Sequence, residues 1–310
     1  MLLRRSCCVL VSVMTLAGCG GGGSDEPTSQ PTETALEGRL LFSRFNESTH
    51  TFLSTHVANA DGSDEVEVTM PGPEGGGQWS HSGEEIAVMT VVPDGRIGTA
   101  IIDAEGEVLR IFELPDDSIN LVCTVWSPDD SRLACEAWDE SNPSRTGIYT
   151  VRSNDGSDLV RLTKAPANMF DLPGDYSPDG SSFLFKRTTE EDDAPLMVVS
   201  TAGGKPTQVS DEPYGDPGRY SVDGETILTS AEGELVLLDS QGVETGRIVT
   251  EGHFLFGPVW SPDGTHIAYS DAFGGPFADI YVCLPDGSDR KQITDTEDNE
   301  MRLEWGAPTS

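Results

Sequence analysis

The sequence predicts an all-β fold, a six-bladed β-propeller whose ring is closed by strands from both ends of the chain. Three observations lead to this prediction: 34 glycines and 20 prolines among 310 residues, many short β-prone segments, and a motif that returns every 40 to 50 residues. Frequent glycine and proline favour short strands joined by turns over a helical bundle. A repeat of roughly 40–45 residues is typical of a four-stranded propeller blade.

The repeated motif is an aromatic residue and a serine followed by a tight turn, W-S-P-D-G in its full form. Proline presets the backbone angle at the second turn position, and glycine takes the left-handed position that follows. Asp130 replaces that glycine in one copy, and aspartate tolerates the left-handed region better than most residues. We interpret the aromatic residues as structural anchors, one for each blade: Trp79, Trp126, Tyr176, Tyr220, Trp260 and Trp305.

A second turn stands in the outer part of three repeats. The run D-G-S-D occurs at 61–64, 155–158 and 286–289. Aspartate and glycine are favoured in such turns by backbone geometry alone, whereas a calcium loop of the EF-hand type needs alternating ligands and a distal glutamate. We therefore predict that these runs are turns between the third and fourth strands of their blades.

The two ends of the chain are expected to share one blade. Six anchors imply six blades, but only five anchors are followed by the strands that complete a blade. The missing strands are at the other end, where residues 38–43 match residues 265–270 in position and pattern. Residues 302–305 then supply the innermost strand of the sixth blade. Such closure removes the exposed edges of an open array, and the propeller is predicted to occupy residues 38–310.

The repeats resemble those of the TolB-like propeller family, in which W-S-P-D-G-x-x-I-A is followed by I-Y-V-x-x-x-D-G-S-x-x-x-x-L-T. The likeness covers residues 38–306, with Tyr176 and Tyr220 in place of tryptophan and Val222 in place of proline. The resemblance implies a six-bladed propeller. TolB itself carries an additional N-terminal α/β domain, for which this chain has no room. We therefore expect a relative of TolB, without TolB's Pal-binding role.

Residues 1–18 are predicted to be a lipoprotein signal peptide, because basic residues precede an apolar stretch that is too short to span a bilayer. The run 16–19, L-A-G-C, resembles the lipobox of bacterial lipoproteins. That resemblance implies cleavage before Cys19 and lipidation of its thiol. An ordinary secretory signal with an incidental cysteine is the alternative. Residues 19–37 are rich in Gly, Pro, Ser and Thr and are expected to form a flexible tether.

The charge of the chain restricts its partners. With 53 acidic and 19 basic residues, the formal net charge is −34. Binding a nucleic acid requires clustered basic residues, and adhesion to anionic lipid through protein charge requires them too. We expect contact with the membrane through the lipid anchor alone, on the extracytoplasmic side. Gly20 after Cys19 is compatible with the outer membrane of a Gram-negative cell. A basic partner and a saline habitat would each account for the acidity.

Two cysteines flank one of the tight turns. Cys123 and Cys135 stand on strands that should pair with each other, and an extracytoplasmic location permits a disulfide. A shift of the register by one residue would separate them, so two small core thiols are the alternative. Cys283 is expected to be a buried free thiol.

The sequence gives little support for catalysis. It contains no G-x-S-x-G elbow, Walker loop or dinucleotide fingerprint. No two of its five histidines stand at a metal-ligand spacing on one element. We therefore expect no cofactor and no metal, and a monomeric binding module. Two alternatives stay open: an envelope carbohydrate-active enzyme of the polysaccharide-lyase kind, with a metal or an acid pair in the channel, and a structural assembly subunit.

The loops that enter the innermost strands, and those that join second to third strands, share one face of a propeller. Here these loops mix aromatic and acidic residues, including the acidic run 190–193, which suits an envelope protein or peptide. Alternatively, Phe254 and Phe256 plug the channel and the acidic groups only solvate the surface. The candidate binding residues are Phe170, Asp171, Tyr214, Asp216, His253, Phe254, Phe256, Phe273 and Phe277.

Overall fold

The computed structural model describes residues 35–46, 48–73, 75–114, 118–189, 194–210, 212–273 and 277–308. The signal peptide, Cys19, most of the tether and the acidic run 190–193 lie outside the described residues, as does the side chain of Phe273. Within the described ranges no helix combines the length and the apolarity of a membrane span.

The described chain folds into six four-stranded antiparallel sheets. The innermost strands are β4 (Gln78–Trp79), β8 (Asn120–Trp126), β12 (Phe170–Tyr176), β16 (Arg219–Tyr220), β20 (His253–Trp260) and β24 (Asn299–Gly306). The second strands are β1 (Arg39–Phe45), β5 (Ile86–Val91), β9 (Arg132–Trp138), β13 (Ser182–Thr188), β17 (Thr226–Ala231) and β21 (Ile267–Phe273).

The two outer strands of each sheet are shorter on average, and they complete the blades. The third strands are β2 (Phe52–Asn59), β6 (Ile97–Ile102), β10 (Gly147–Arg152), β14 (Leu196–Ser200), β18 (Glu234–Asp239) and β22 (Ala278–Cys283). The fourth strands are β3 (Val66–Val68), β7 (Val108–Ile111), β11 (Val160–Arg161), β15 (Thr207–Gln208), β19 (Glu244–Ile248) and β23 (Lys291–Gln292). The predicted all-β, six-bladed propeller is confirmed.

The ring closes as the sequence predicted. The first blade has the strand order β24-β1-β2-β3, so its innermost strand comes from the C-terminal end of the chain. The pairing runs from Arg39 opposite Gly306 to Phe45 opposite Asn299. Because the ring is closed, every blade has a neighbour on each side and no sheet is left with an uncovered face.

The core lies between the blades rather than on the axis of the ring. Six clusters of buried side chains each draw on two neighbouring blades, as in the cluster that joins Ala87 and Ile101 to Leu121 and Trp126. Each sheet is therefore covered on both faces. This explains why second and third strands such as Ile86–Val91 are largely apolar on both sides instead of alternating.

The tight turns have the expected geometry. In the first turn of the third repeat, the N–H of Gly180 donates to the carbonyl of Ser177, and Gly180 has a φ of +69°. Asp130, at the same place in the preceding repeat, has a φ of +55°. In the D-G-S-D turns the first aspartate accepts a hydrogen bond from the backbone of the serine, at 2.9–3.0 Å. They join third to fourth strands, as predicted.

Cys123 and Cys135 lie directly opposite each other on β8 and β9. Their sulfur atoms are 2.12 Å apart and form a disulfide. The register that the sequence left open is therefore the one that permits the bond. Cys283 is buried and free, and burial raises the pKa of its thiol to about 12.

Glu136 is a half-buried acid whose charge works against folding. It lies on β9 between Val122 and Ile148 of the flanking strands, and burial raises its pKa to about 7. Because the folded state binds the proton more tightly than the unfolded state, stability falls as the pH rises from about 4.5 to about 7. We expect Glu136→Gln to stabilise the protein by about 2–3 kcal/mol at pH 8 and by almost nothing at pH 4.

The measurement is urea unfolding at the two pH values. The matched control is Glu84→Gln, which removes an exposed carboxylate next to a turn and should change stability by less than about 0.5 kcal/mol at both pH values. An equal loss of stability at pH 4 and pH 8 for Glu136→Gln would contradict the explanation.

Candidate functional site: the two ends of the central channel

The innermost strands surround a channel with two different ends. All six run from the face that carries the loops into the innermost strands to the face that carries the tight turns. We call the first the loop face and the second the turn face. The loop face holds the connections before innermost strands and between second and third strands. The turn face holds the anchors' turns and the D-G-S-D turns.

At the loop face the channel widens into a cavity of about 430 Å³. Bulges in four innermost strands shape it, because each places additional residues opposite an unbroken partner strand. The additional residues include Thr124, Gly174 and Gly257, which are small, and Arg302. Three of these, Thr124, Gly257 and Arg302, line the cavity. Small residues at this level keep the channel open.

Among the additional residues at the bulges, Arg302 has the longest side chain. Its guanidinium donates to the carbonyl of Gly75 and lies 5.2 Å from the ring centre of Phe45. Its backbone is left-handed, with a φ of +55°, which a bulge at a functional position can impose. The loop-face cavity therefore has a basic group on one wall.

An ion pair crosses the middle of the channel. Arg219 and Glu304 form it, and both residues line the loop-face cavity and a second cavity at the turn face. Asp175 stands beside them and accepts a hydrogen bond from the N–H of Tyr220 at 3.0 Å. Burial raises the pKa of Asp175 and of Glu304, and the nearby guanidinium only partly offsets the rise. Burial alone would lower the pKa of Arg219, but the carboxylates of Glu304, Asp175 and Asp216 raise it.

The sequence contains a signal for this ion pair. The residue just before each anchor is Gln78, Val125, Asp175, Arg219, Val259 or Glu304. Four of these six are polar or charged although they stand inside strands. All except Val125 line the turn-face cavity. Polar residues at a fixed place in an otherwise apolar repeat indicate a common surface, which here is the channel wall.

Two of the predicted binding residues are exposed and two line the loop-face cavity. Phe170 and Phe254 are 38% and 56% exposed. Phe256 and Asp216 line the cavity. The rings of Phe254 and Phe256 are 6.1 Å apart, and Asp216 accepts a hydrogen bond from the N–H of Gly257 at 3.0 Å. The structure therefore brings an aromatic pair and a carboxylate to one edge of the channel. Phe256 does not close the channel, because it borders an open cavity.

Asp171 and Tyr214 do not present a binding surface, contrary to the prediction. Asp171 is 1% exposed, pairs with Arg187 at 2.6 Å and accepts a hydrogen bond from the Thr163 hydroxyl. Tyr214 is 3% exposed and packs in the core between two blades. Both fasten loops to strands, since polar groups at the ends of buried strands need partners. A sequence shows that a loop is aromatic and acidic, but not which side chains turn inward.

His253 is also structural rather than a ligand-binding residue. Its side chain is largely buried, and its Nδ1 lies 2.8 Å from the carboxylate of Asp271, which Arg290 binds as well. His56 pairs with Glu65 at 2.8 Å. Across the described ranges, no group of three or more His, Cys, Asp or Glu side chains is placed to hold a metal ion. Phe277 is half-buried.

Known structures share this fold. TolB from Acinetobacter baumannii superposes with a TM-score of 0.65 and 19% identity, over 87% of this chain and 67% of that one. A TolB candidate from Agrobacterium tumefaciens superposes with a TM-score of 0.57 and 17% identity, over 84% of this chain and 90% of that one. An oligogalacturonate lyase in complex with manganese superposes with a TM-score of 0.50 and 16% identity, over 86% of this chain and 75% of that one. At these identities the likeness shows the six-bladed propeller fold that the resemblance to TolB-like repeats implied.

Sequence comparison adds a short local match. No protein-family model matches the chain. An uncharacterized peptidase of Bacillus subtilis (strain 168), YuxL, is 40% identical over 65 residues, which is 20% of this chain and 10% of that protein. The chain therefore spans about a tenth of that relative's length.

Proposed function

We propose that the chain is a lipid-anchored propeller of the bacterial cell envelope that binds a protein or peptide through its loop face and catalyses no reaction. The observation that carries this proposal is the aromatic pair at the edge of the loop-face cavity. Phe254 is more than half exposed, and Phe256 continues its surface into the channel. Exposed aromatic rings beside a concavity favour partner binding, because they bury large apolar areas with few rotatable bonds.

The loop face is also rigid. The ion pairs of Asp171 with Arg187 and of His253 with Asp271 are buried and hold the starts of two innermost strands. Asp216 ties the loop before β16 to the bulge of β20 through the N–H of Gly257. A partner would therefore meet loops that are already ordered, and less conformational entropy would be lost on binding.

The lipid anchor and the envelope location rest on the signal peptide and on Cys19. A tether of the length of 19–37 reaches roughly 20–25 Å as a random coil. That reach would let the propeller bind partners near the membrane surface without lying on it.

The carbohydrate-active alternative has one supporting observation, the carboxylates of Asp175 and Glu304 in the channel. Glu304 is paired with Arg219, however, and a general acid and base must reach the substrate. The arrangement therefore does not favour general acid–base catalysis by this acid pair. A product formed from an acidic polysaccharide by the purified chain would overturn the non-catalytic proposal.

Site-specific photocrosslinking of the full chain in its native envelope tests the proposal. A benzophenone amino acid at Phe254 or Phe170 should give a discrete protein adduct. The matched control is Val108, an exposed apolar residue at the turn-face end of the outer strand of a blade, which should give none. An excess of the soluble propeller, residues 35–310, should compete with the adduct.

The same experiment examines the anchor. Adducts of the parent should be found in the membrane fraction, whereas the Cys19→Ser chain should move to the soluble fraction and Cys8→Ser should not. Equal adducts at Phe254, Phe170 and Val108, or none at the two loop-face positions, would overturn binding through the loop face.

A further inference from the structure

The turn face has a cavity of its own, of about 410 Å³, at the opposite end of the channel from Phe254. Its walls repeat around the ring, because all six anchors line it, and so does the residue two positions after each anchor. These rim residues are His81, Pro128, Pro178, Val222, Pro262 and Ala307. Tyr220 and Trp260 are the least buried of the anchors. The volume lies within the range of roughly 300–1,000 Å³ that small-molecule sites occupy.

The floor of this cavity holds more acidic groups than basic ones. Asp175 and Glu304 supply two carboxyl groups, and Arg219 supplies one guanidinium. Gln78 adds a neutral amide. Burial raises the pKa of both acids, and a cation beside them would favour their ionised forms and be attracted to them with less screening than at the surface. The floor therefore favours a positively charged occupant.

Three anchors, Trp79, Tyr176 and Trp260, hold a buried polar atom that has no hydrogen-bond partner. The indole Nε1 of Trp79 and the hydroxyl of Tyr176 are buried without a hydrogen bond, and both residues are more than nine-tenths buried while they line the cavity. Buried polar groups are almost always paired in folded proteins. Unpaired groups in the wall of a cavity indicate a place where a ligand or its water shell completes the hydrogen bonding.

Carboxylates stand beside the rim in four of the six blades. In the turns after Trp126, Tyr176, Tyr220 and Trp260 the serine hydroxyl donates to the aspartate at 2.6–2.7 Å. These bonds stabilise the ionised form, and they lower the pKa of Asp179 to about 2. The same serine bond lowers the pKa of Asp129 and Asp223. These carboxylates are therefore ionised at physiological pH, and their field attracts cations toward the opening.

We propose that the turn-face cavity binds an organic cation, an alkylammonium or guanidinium group, either free or carried on a lysine or arginine side chain. Aromatic rings attract such cations through their faces, more strongly where water is excluded. Tyr220 and Trp260, the least buried anchors, supply those rings, whereas the guanidinium of Arg39 already lies over Trp79. The floor acids supply the compensating charge, and the rim carboxylates attract the cation. The site goes beyond the proposed function, because it lies at the other end of the channel from the loop face.

Intrinsic fluorescence reports directly on this cavity. Four of the chain's five tryptophans, all except Trp138, line it. We expect a saturable change of emission on titration with tetramethylammonium chloride and with N-acetylarginine amide. Sodium chloride at the same ionic strength, and neutral tert-butanol, which has nearly the shape of tetramethylammonium, should give no saturable change. Failure of both cations to give saturation would overturn the proposal.

Variants at the rim test the charge requirement without disturbing the core. Val222 is exposed at the opening. Val222→Glu should tighten binding about two- to five-fold, and Val222→Lys should weaken it by a similar factor. Val249→Lys, at an exposed position of the loop face, is the matched control and should leave binding unchanged. Equal affinities for the two Val222 variants would contradict the proposal.

Asp175→Asn tests the floor, with an expected loss of affinity of about ten-fold. If this variant does not fold, the Val222 pair still decides the outcome.

A glycine-flanked arginine peptide distinguishes the two sources of the cation: tighter binding than N-acetylarginine amide indicates a side chain of a partner, and weaker binding indicates a free cation. Phe254→Ser should leave all these affinities unchanged, so failure of the loop-face proposal is recognised separately.

Discussion

Deletion of residues 301–310 should abolish cooperative folding. The deletion removes most of β24, including the buried side chains of Leu303 and Trp305, and exposes the inner edge of β1 with Leu40 and Phe42. Loss of a buried leucine or tryptophan each costs about 2–5 kcal/mol. Together with the lost pairing, this approaches the whole stability of a typical domain, about 5–15 kcal/mol. Circular dichroism and calorimetry of the truncated chain measure the effect.

Two controls show whether ring closure is the cause. Deletion of residues 308–310 alone should leave the melting temperature unchanged, because Gly306 is the last residue of β24 and Pro308 is exposed. A permuted chain that places residues 293–308 directly before residue 37 should fold, since β24 and β1 are antiparallel neighbours that a short turn can join. A 301–310 deletion that melts like the parent would refute closure by the C-terminal strand.

Replacement of Arg219 by methionine should cost about 3–5 kcal/mol at pH 8, because it leaves buried carboxylates without a compensating charge. Glu304 loses its ion-pair partner, and Asp175 loses the nearest cation. The pKa of both acids, already raised by burial, then rises further. The folded variant binds more protons than the unfolded chain, so its stability decreases as the pH rises through the raised pKa values. The deficit should therefore shrink in mild acid.

Urea unfolding between pH 5 and pH 8 measures this deficit. Arg219→Met combined with Glu304→Gln should recover most of it, because the double variant removes one of the two uncompensated charges. Arg152→Met, which removes an exposed arginine, should change stability by less than about 0.5 kcal/mol. A loss of under about 1 kcal/mol for Arg219→Met at pH 8 would show that water reaches the ion pair.

The fold could be predicted from the sequence because each blade of a propeller is specified by a short sequence pattern that repeats along the chain. The anchors, the tight turns and the D-G-S-D runs each depend on backbone geometry within a few residues. Ring closure followed from counting, since six anchors were present and only five had strands after them. The pairing of Cys123 with Cys135 needed the register, which depends on a bulge at Thr124 that no local pattern indicates.

The functional surface was harder to predict, because it depends on which side chains turn inward. Asp171 and Phe170 are adjacent on β12, yet one is buried in an ion pair and the other is exposed. The partner that buries Asp171, Arg187, stands sixteen positions further along the chain, and a sequence does not give the distance between them. The turn-face cavity is hard to predict for a different reason. Its anchor residues also hold the blades together, and this structural role alone accounts for their repetition in the sequence.

Ring closure also has a consequence for the growing chain. β1 is among the first strands of the propeller to be synthesised, and its partner β24 is the last. Until β24 emerges, the inner edge of β1 offers unpaired backbone groups and exposed apolar side chains, and such edges recruit strands from other chains. The nascent propeller therefore remains vulnerable to aggregation for almost the whole time of its synthesis. Its yield in cells should depend on chaperones that protect this edge, even if the finished ring is stable.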